Sequence, residues 1–171
     1  MQMVKKGLLA ALAVWFLVIV LMPKTAFYYK VEAWLAQHDI VLNETKINEG
    51  LFSLELEGVT VYVKGIPIAN IQTLKFCTLF LYSSLTVEGL LLDDSLKAMA
   101  PQDVNEAYIR QFIGLPFNLF ITADGSFGQA EGSVDISARK MHLDFNDSAH
   151  VQMLRPPVKK GEKGWYYETS F

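Results

Sequence analysis

The chain has 171 residues, of which 51% are hydrophobic and 19% are charged. This apolar content, together with 11 glycines and one cysteine, excludes an intrinsically disordered chain, a collagen-like repeat and a disulfide scaffold. The formal net charge of −3 argues against a nucleic-acid partner, because binding to phosphates needs a basic surface.

The first predicted element is the apolar run GLLAALAVWFLVIVLM at residues 7–22, which contains no charged side chain. Its length approaches the roughly 20 residues that span a bilayer core. A cleaved signal peptide is the alternative, but cleavage after Ala26 would place Lys24 at a position that requires a small residue. We therefore predict a cytoplasmic start and an uncleaved transmembrane anchor in residues 1–23. The anchor residues are Gly7, Leu8, Trp15, Phe16, Leu21 and Met22.

The charges around this run predict its orientation. Lys5 and Lys6 precede the run and favour a cytoplasmic N-terminus, because positive charge resists translocation. All 18 acidic residues follow the run. The bulk of the chain is therefore predicted to lie outside the cytoplasm.

A helix is predicted next, in residues 24–38. Its apolar residues recur at the spacing of one helical face: Phe27, Val31, Trp34 and Leu35. Three amphipathic aromatic residues close to the anchor are of the kind that prefers a membrane interface: Tyr28, Tyr29 and Trp34. We predict that this juxtamembrane helix rests at the bilayer surface or continues from the anchor. Packing of its apolar stripe under the following domain is a second interpretation, compatible with the first.

From residue 39 the hydrophobic period changes to two, which indicates β-strands. Leu54 and Leu56 alternate with Glu55 and Glu57, and glycines mark turns or bulges between such segments. Residues 78–88 continue the alternation. A bend is expected near 82–84, because the alternation of apolar and polar residues shifts by one position there.

The alternation is lost in residues 94–113. Asp103 is of a type that caps helices, and Gly114 is of a type that ends them. We predict a short helix between them that contains Val104, Ala107, Tyr108 and Phe112.

The last third of the chain is again strand-like. Residues 117–123 lead into Asp124-Gly125, a strong hairpin signal. Further short strands are predicted at 126–131, 132–138, 140–145, 151–154 and 165–169. Strands at this spacing predict a mainly β domain in residues 39–171. The predicted fold is a curled antiparallel sheet, either a gutter or a sandwich, with one or two short helices.

Residues that could carry chemistry are few. His38, His142 and His150 are scattered, and Cys77 has no partner at ligand spacing, so no metal site is expected. The only close carboxylate pairs are Asp93-Asp94 and Asp144/Asp147, which we interpret as solvated turn residues. We therefore expect a protein that is not an enzyme and that uses no cofactor.

Five aromatic residues raise a different interpretation: Phe76, Phe80, Phe117, Phe120 and Phe145. Such residues ordinarily pack in a core. The alternative is that they line an apolar groove for acyl chains, because lipid tails need continuous apolar surface and no catalytic groups.

Several glycine-punctuated segments also resemble a known family. The run EGLFSLELEGVTV at 49–61 is followed by GIPIA at 65–69 and LTVEG at 85–89, and later by DGSFG at 124–128 and EGSVDI at 131–136. This pattern resembles type II secretion system protein N and the related AsmA/TamB-like envelope proteins. The resemblance implies a bacterial inner-membrane protein with a periplasmic β-rich domain, acting in secretion machinery or in lipid handling between membranes.

Together, these observations predict a non-enzymatic accessory or scaffold subunit of a secretion or envelope-assembly system. It would bind a protein partner at a sheet edge or an apolar face. The alternative is a lipid-binding or lipid-transfer module that uses an apolar β-groove. A third alternative is an anchored hydrolase, which only the acidic pairs support.

Overall fold

The computed structural model describes residues 2–21, 23–79, 81–96, 103–146, 158–161 and 164–171. Two helices, α1 (Gln2–Leu21) and α2 (Lys24–Ala36), meet at Pro23. Proline cannot donate a backbone hydrogen bond, so it favours the start of a new helix over continuation of the preceding one. A 3₁₀ turn lies at Asp94–Leu96.

The strands follow the helices in chain order: β1 (Ile40–Asn43), β2 (Lys46–Glu49), β3 (Ser53–Val63), β4 (Ile66–Leu79), β5 (Tyr82–Leu92), β6 (Asp103–Phe112), β7 (Leu115–Gly125), β8 (Gly128–Asp135), β9 (Lys140–Phe145), β10 (Lys159–Gly161) and β11 (Gly164–Ser170). All described pairs are antiparallel and join into one sheet of order β1-β3-β4-β5-β6-β7-β8-β9-β11-β10, with β2 also paired to β3. The sheet is not closed. The prediction of a mainly β chain with an antiparallel sheet is confirmed, and the two helices precede the sheet.

The predicted membrane anchor is contradicted by the structure. Within the described part of the chain, none of the helices combines the length and the apolar character that crossing a bilayer demands. Lys5 and Lys6 lie inside α1, so the longest stretch of this helix without a charged residue is 7–21. Those residues rise by about 22 Å, which is less than the ~30 Å hydrocarbon core. The finding also contradicts the inner-membrane localisation and the periplasmic placement of the C-terminal domain.

The second helix packs on the sheet. Tyr28 of α2 is buried together with Leu54, Leu56, Val59 and Ile71. Tyr28 is not part of the predicted apolar stripe; of that stripe, Phe27, Val31 and Leu35 line a cavity between α2 and the sheet. Tyr29 and Trp34 lie on the exposed side of α2.

The helix predicted from Asp103 to Gly114 is wrong, because residues Asp103–Phe112 form strand β6. Its apolar residues Ala107 and Ile109 alternate with Tyr108 and Arg110, and this pattern suits a strand between two neighbours. The segment forms a strand because it pairs with β5 on one side and β7 on the other. Such tertiary contacts override a weak local preference for a helix.

The predicted hairpin at Asp124-Gly125 is confirmed: β7 ends at Gly125 and β8 begins at Gly128. The two strands predicted at 126–131 and 132–138 are instead one strand, β8. The strand predicted at 165–169 lies within β11 and pairs with β9. The segment 151–154 lies outside the described residues.

A crease crosses β3, β4 and β5. Leu56 and Val59 point to the same face although three positions separate them, and Leu74 and Ile71 pair with these two residues. Gly58 and Gly89 lie at this crease with φ angles of 61° and 62°. Glycine adopts this left-handed conformation without the steric cost that a side chain adds. The crease therefore keeps apolar residues on one face on both sides of the bend.

Candidate functional site

One face of the sheet is apolar across eight neighbouring strands; we call it the apolar face. Two rows of directly paired residues cross it from β3 to β11. The first row is Leu54, Phe76, Leu85, Ile109, Ile121, Gly132, Leu143 and Tyr167. The second row is Leu56, Leu74, Val87, Ala107, Ala123, Ala130, Phe145 and Trp165.

The two ends of the apolar face are better covered than its middle. At one end α2 covers Leu54 and Leu56, and at the other end Phe127 packs on Ala130 and Phe145. Between these clusters Ala107 is only partly buried, and so is Ala123, which packs against the far cluster. The second row carries small residues here, beside the larger Ile109 and Ile121 of the first row, and we call this stretch the trough. At about 4.8 Å between strands, the two rows extend about 34 Å.

A cavity of about 550 Å³ lies between the helices and this face. Helix α2 contributes Phe27, Tyr28, Val31 and Leu35 to its wall. The sheet contributes chiefly residues of the two rows, among them Leu54, Leu74, Phe76 and Leu85. Polar groups in the wall are few: Lys24, Thr78 and the Tyr28 hydroxyl. This size and composition are typical of sites for small apolar ligands.

Two carboxylates, one at the end of β2 and one in the β1–β2 connection, hold α2 over the cavity. Glu49 of β2 accepts hydrogen bonds from the backbone N–H groups of Lys24 at 3.0 Å and Thr25 at 3.4 Å, and from the Thr25 hydroxyl. Glu44 accepts a hydrogen bond of 2.7 Å from the Tyr28 hydroxyl. Glu49 therefore caps the N-terminus of α2, where a negative charge is also favoured by the helix dipole.

These hydrogen bonds shift the acidity of the groups that make them. The hydrogen bond from the Thr25 hydroxyl, followed by that from the Lys24 N–H, holds the pKa of Glu49 below its ordinary value. Burial, and then the hydrogen bond to Glu44, raises the pKa of the Tyr28 hydroxyl.

We expect Glu49→Gln to reduce the acid sensitivity of the protein. Because the folded-state pKa of Glu49 is lowered, its carboxylate stabilises the fold above the unfolded pKa near 4.5, and this stabilisation is lost as the pH falls through the folded pKa. Urea unfolding between about pH 6 and pH 3 should therefore show a shallower fall for Glu49→Gln than for the wild type. Glu168→Gln, at an exposed position of β11, is the matched control and should keep the wild-type slope. Equal slopes for all three proteins would contradict the capping role.

The structure separates the five aromatic residues considered for an apolar groove. Phe76 and Phe145 lie on the apolar face, at the cavity and in the far cluster respectively. Phe120 lies on the opposite face, paired with Arg110 and Ser133. Phe117 is exposed at the start of β7, and Phe80 lies outside the described residues.

The residues assigned to the anchor are distributed along α1. Trp15 lines the cavity, and the Phe16 ring lies 6.0 Å from the Phe52 ring of the β2–β3 connection. Gly7, Leu8 and Leu21 are exposed, and Met22 lies outside the described residues.

The residues that form the trough were not singled out from the sequence. Ala107 was assigned to a helix, and Ala123 was part of a strand without a stated role. The available signal was the alternation of Ala107 and Ile109 with Glu106, Tyr108 and Arg110, which is typical of a half-buried strand.

The geometry of the described residues gives little support to a metal site or to a role for the acidic pairs and the cysteine. Within the described residues, no group of three or more His, Cys, Asp or Glu side chains could hold a metal ion. The Nε2 atom of His142 lies 3.2 Å from the Asp144 carboxylate on an exposed strand, and Asp147 lies outside the described residues. Cys77 is a free, partly buried thiol in β4.

Comparison of the chain with models of known protein families, with curated proteins and with solved structures gives no match. The resemblance to type II secretion system protein N and AsmA/TamB-like proteins therefore stays a prediction.

Proposed function

We propose that this protein binds the acyl chain of a lipid or another elongated apolar ligand on the apolar face, without catalysing a reaction. The single observation that carries the proposal is the pair of apolar rows across eight strands, which are continuous through the hydrogen-bonded register. A chain lying along the part of these rows between the two clusters would contact mainly apolar side chains.

The size of the site supports a chain-like ligand. The rows extend about 34 Å across the sheet. Transfer of each CH₂ group from water to an apolar surface contributes about 0.8 kcal/mol, so several methylenes together provide useful affinity. The cavity beneath α2 is the enclosed part of this surface, and its volume of about 550 Å³ is in the range of small-molecule sites.

The partial burial in the middle of the face supports the same proposal. Ala107 and Ala123 are apolar but incompletely covered by the described residues. An exposed apolar surface of this extent is costly in water, and in stable proteins it usually marks a binding site. An acyl chain in the trough would cover it without requiring polar groups.

The proposal is tested with the purified full-length chain and a series of unbranched fatty acids, from octanoate to tetradecanoate, below their micelle concentrations. Displacement of a dansyl-labelled fatty acid is followed by fluorescence. We expect saturable binding that tightens by about fourfold per added CH₂ group until the trough is filled. Binding that is absent, or independent of chain length, would contradict the proposal.

A second candidate is binding of a protein partner by strand addition, as expected for a scaffold subunit. It is favoured by the sheet edges: β1 and β2 at one side and β10 at the other pair with only one described neighbour each. Such an edge can accept a further strand. Native mass spectrometry of the purified protein separates the candidates. A stoichiometric lipid favours acyl-chain binding, whereas a co-purified protein without lipid favours the scaffold.

A further inference from the structure

The face opposite the apolar face carries mainly polar residues, and we call it the polar face. Its charged and polar contacts lie towards the two sides of the sheet: the ion pairs Lys46 with Glu57 at 3.2 Å and Lys75 with Glu55 at 3.8 Å on one side, and the contact of the His142 ring with Asp144 at 3.2 Å on the other. Arg110 lies between them in β6, paired with Ser84 of β5 and Phe120 of β7.

Aromatic rings surround Arg110 on this face. Tyr108 and Phe112 are its same-face neighbours along β6, and Phe120 lies directly across in β7. The guanidinium carbon lies 5.4 Å from the centre of the Tyr108 ring, a distance at which a cation is attracted to the ring. The Phe112 ring lies 5.4 Å from the Tyr82 ring and 6.2 Å from the Phe120 ring. We call these four aromatic residues, of which Tyr108 contacts the guanidinium, the aromatic frame.

The guanidinium of Arg110 lacks a counter-ion among the described residues. Its Nε atom is buried and has no hydrogen-bond partner there. No described carboxylate forms an ion pair with it, and its nearest same-strand acid, Glu106, is four residues away. A buried donor without a partner is unfavourable, and it is more so when the group is charged. The positive charge of the guanidinium, which no described carboxylate neutralises, is therefore the feature that would attract an anion to this face.

We propose that Arg110 and its aromatic frame form a binding site for an aryl oxyanion, that is, a carboxylate or phosphate attached to an aromatic ring. The terminal N–H groups of a guanidinium can donate two parallel hydrogen bonds to such an oxyanion. The Tyr82 and Tyr108 hydroxyls hydrogen-bond to each other, so one of them keeps an O–H group that can donate to the ligand.

The aromatic part of the ligand would pack on Phe112. This side chain is 42% exposed although it is large and apolar, and both of its ring neighbours are tilted or edge-on to it. A further ring can therefore stack on it in the favoured offset or edge-to-face geometry. This site is on the opposite face from the acyl-chain trough and does not depend on the proposed function.

Four probes test the site on the full-length chain by isothermal titration calorimetry and by chemical shifts of the tyrosine rings. Benzoate and phenyl phosphate carry both a ring and an oxyanion, benzyl alcohol carries only the ring, and inorganic phosphate carries only the oxyanion. We expect saturable binding of benzoate, phenyl phosphate or both, and at least about tenfold weaker binding of the other two. The relative affinities for benzoate and phenyl phosphate show whether the site prefers a carboxylate or a phosphate.

Matched variants locate the binding. Arg110→Gln should weaken aryl oxyanion binding by about tenfold or more, because the charged fork is lost. Arg139→Gln removes the same charge from the exposed β8–β9 turn. It should change the affinity for the aryl oxyanion by less than about twofold. Arg110→Lys keeps the charge without the fork, so it should weaken binding even where the fold is fully retained. The proposal is overturned if neither aryl oxyanion binds, if Arg110→Gln and Arg139→Gln behave alike, or if inorganic phosphate binds as tightly as phenyl phosphate.

Discussion

Ala107→Trp is expected to weaken acyl-chain binding by tenfold or more, on the order of 1.4 kcal/mol, while the sheet remains folded. Ala107 lies in the middle of the second apolar row, between Val87 and Ala123. An indole at this position would fill the trough and exclude a chain that runs along the row. Because Ala107 is only partly buried and tryptophan is well tolerated in strands, the ring can lie on the surface without forcing the strands apart.

The measurement is the displacement titration with dodecanoate, made alongside a thermal unfolding curve. Thr122→Trp is the matched control, because Thr122 lies on β7, the strand next to Ala107, but on the polar face, paired with Tyr108 and Glu131. This control should bind dodecanoate with wild-type affinity. If Ala107→Trp binds equally well, or if both variants lose binding together, the acyl chain does not lie in the trough.

Leu56→Ala is expected to lower the free energy of unfolding by about 2–5 kcal/mol, the largest stability effect of any change considered for this chain. Leu56 is 1% exposed and packs in the cluster of Tyr28, Leu54, Val59 and Ile71. Truncation removes its apolar contacts and leaves a cavity that the paired strands cannot close. Because Tyr28 belongs to the same cluster, the change should also loosen the contact of α2 with the sheet.

Urea unfolding followed by circular dichroism measures this loss. Leu51→Ala is the matched control, because Leu51 is 66% exposed in the β2–β3 connection. It should change the free energy of unfolding by less than about 0.5 kcal/mol. A loss for Leu56→Ala that is no larger than that of the control would mean that α2 and the sheet do not share a common core.

Much of the strand arrangement is readable from the sequence. Alternation in Leu54-Glu55-Leu56-Glu57 predicts a half-buried strand because successive side chains of a strand point to opposite faces. The Asp124-Gly125 signal predicts the β7–β8 hairpin for an equally local reason, the turn geometry that these residues favour. Such features depend only on residues that are neighbours along the chain.

The errors have a different origin. Strand β6 was predicted as a helix because Val104, Ala107 and Tyr108 have helical spacing and Asp103 resembles a cap. The apolar run at 7–22 was predicted as an anchor from its composition, whereas in the structure α1 ends at Leu21 and has two lysines inside its first turns. Both predictions relied on a pattern in a short segment of the sequence, and the structure contradicts both.

By itself, the sequence determined that the chain is mainly β, that its strands form an antiparallel sheet, and that a helix precedes them. Only the tertiary structure decided that Phe76 and Ala107 share one face while Phe120 and Arg110 share the other. The physical reason is register: a shift of one residue in a strand moves every side chain to the opposite face, and the register of β6 is set by its pairing with β5 and β7. The apolar rows and the Arg110 site are products of that register.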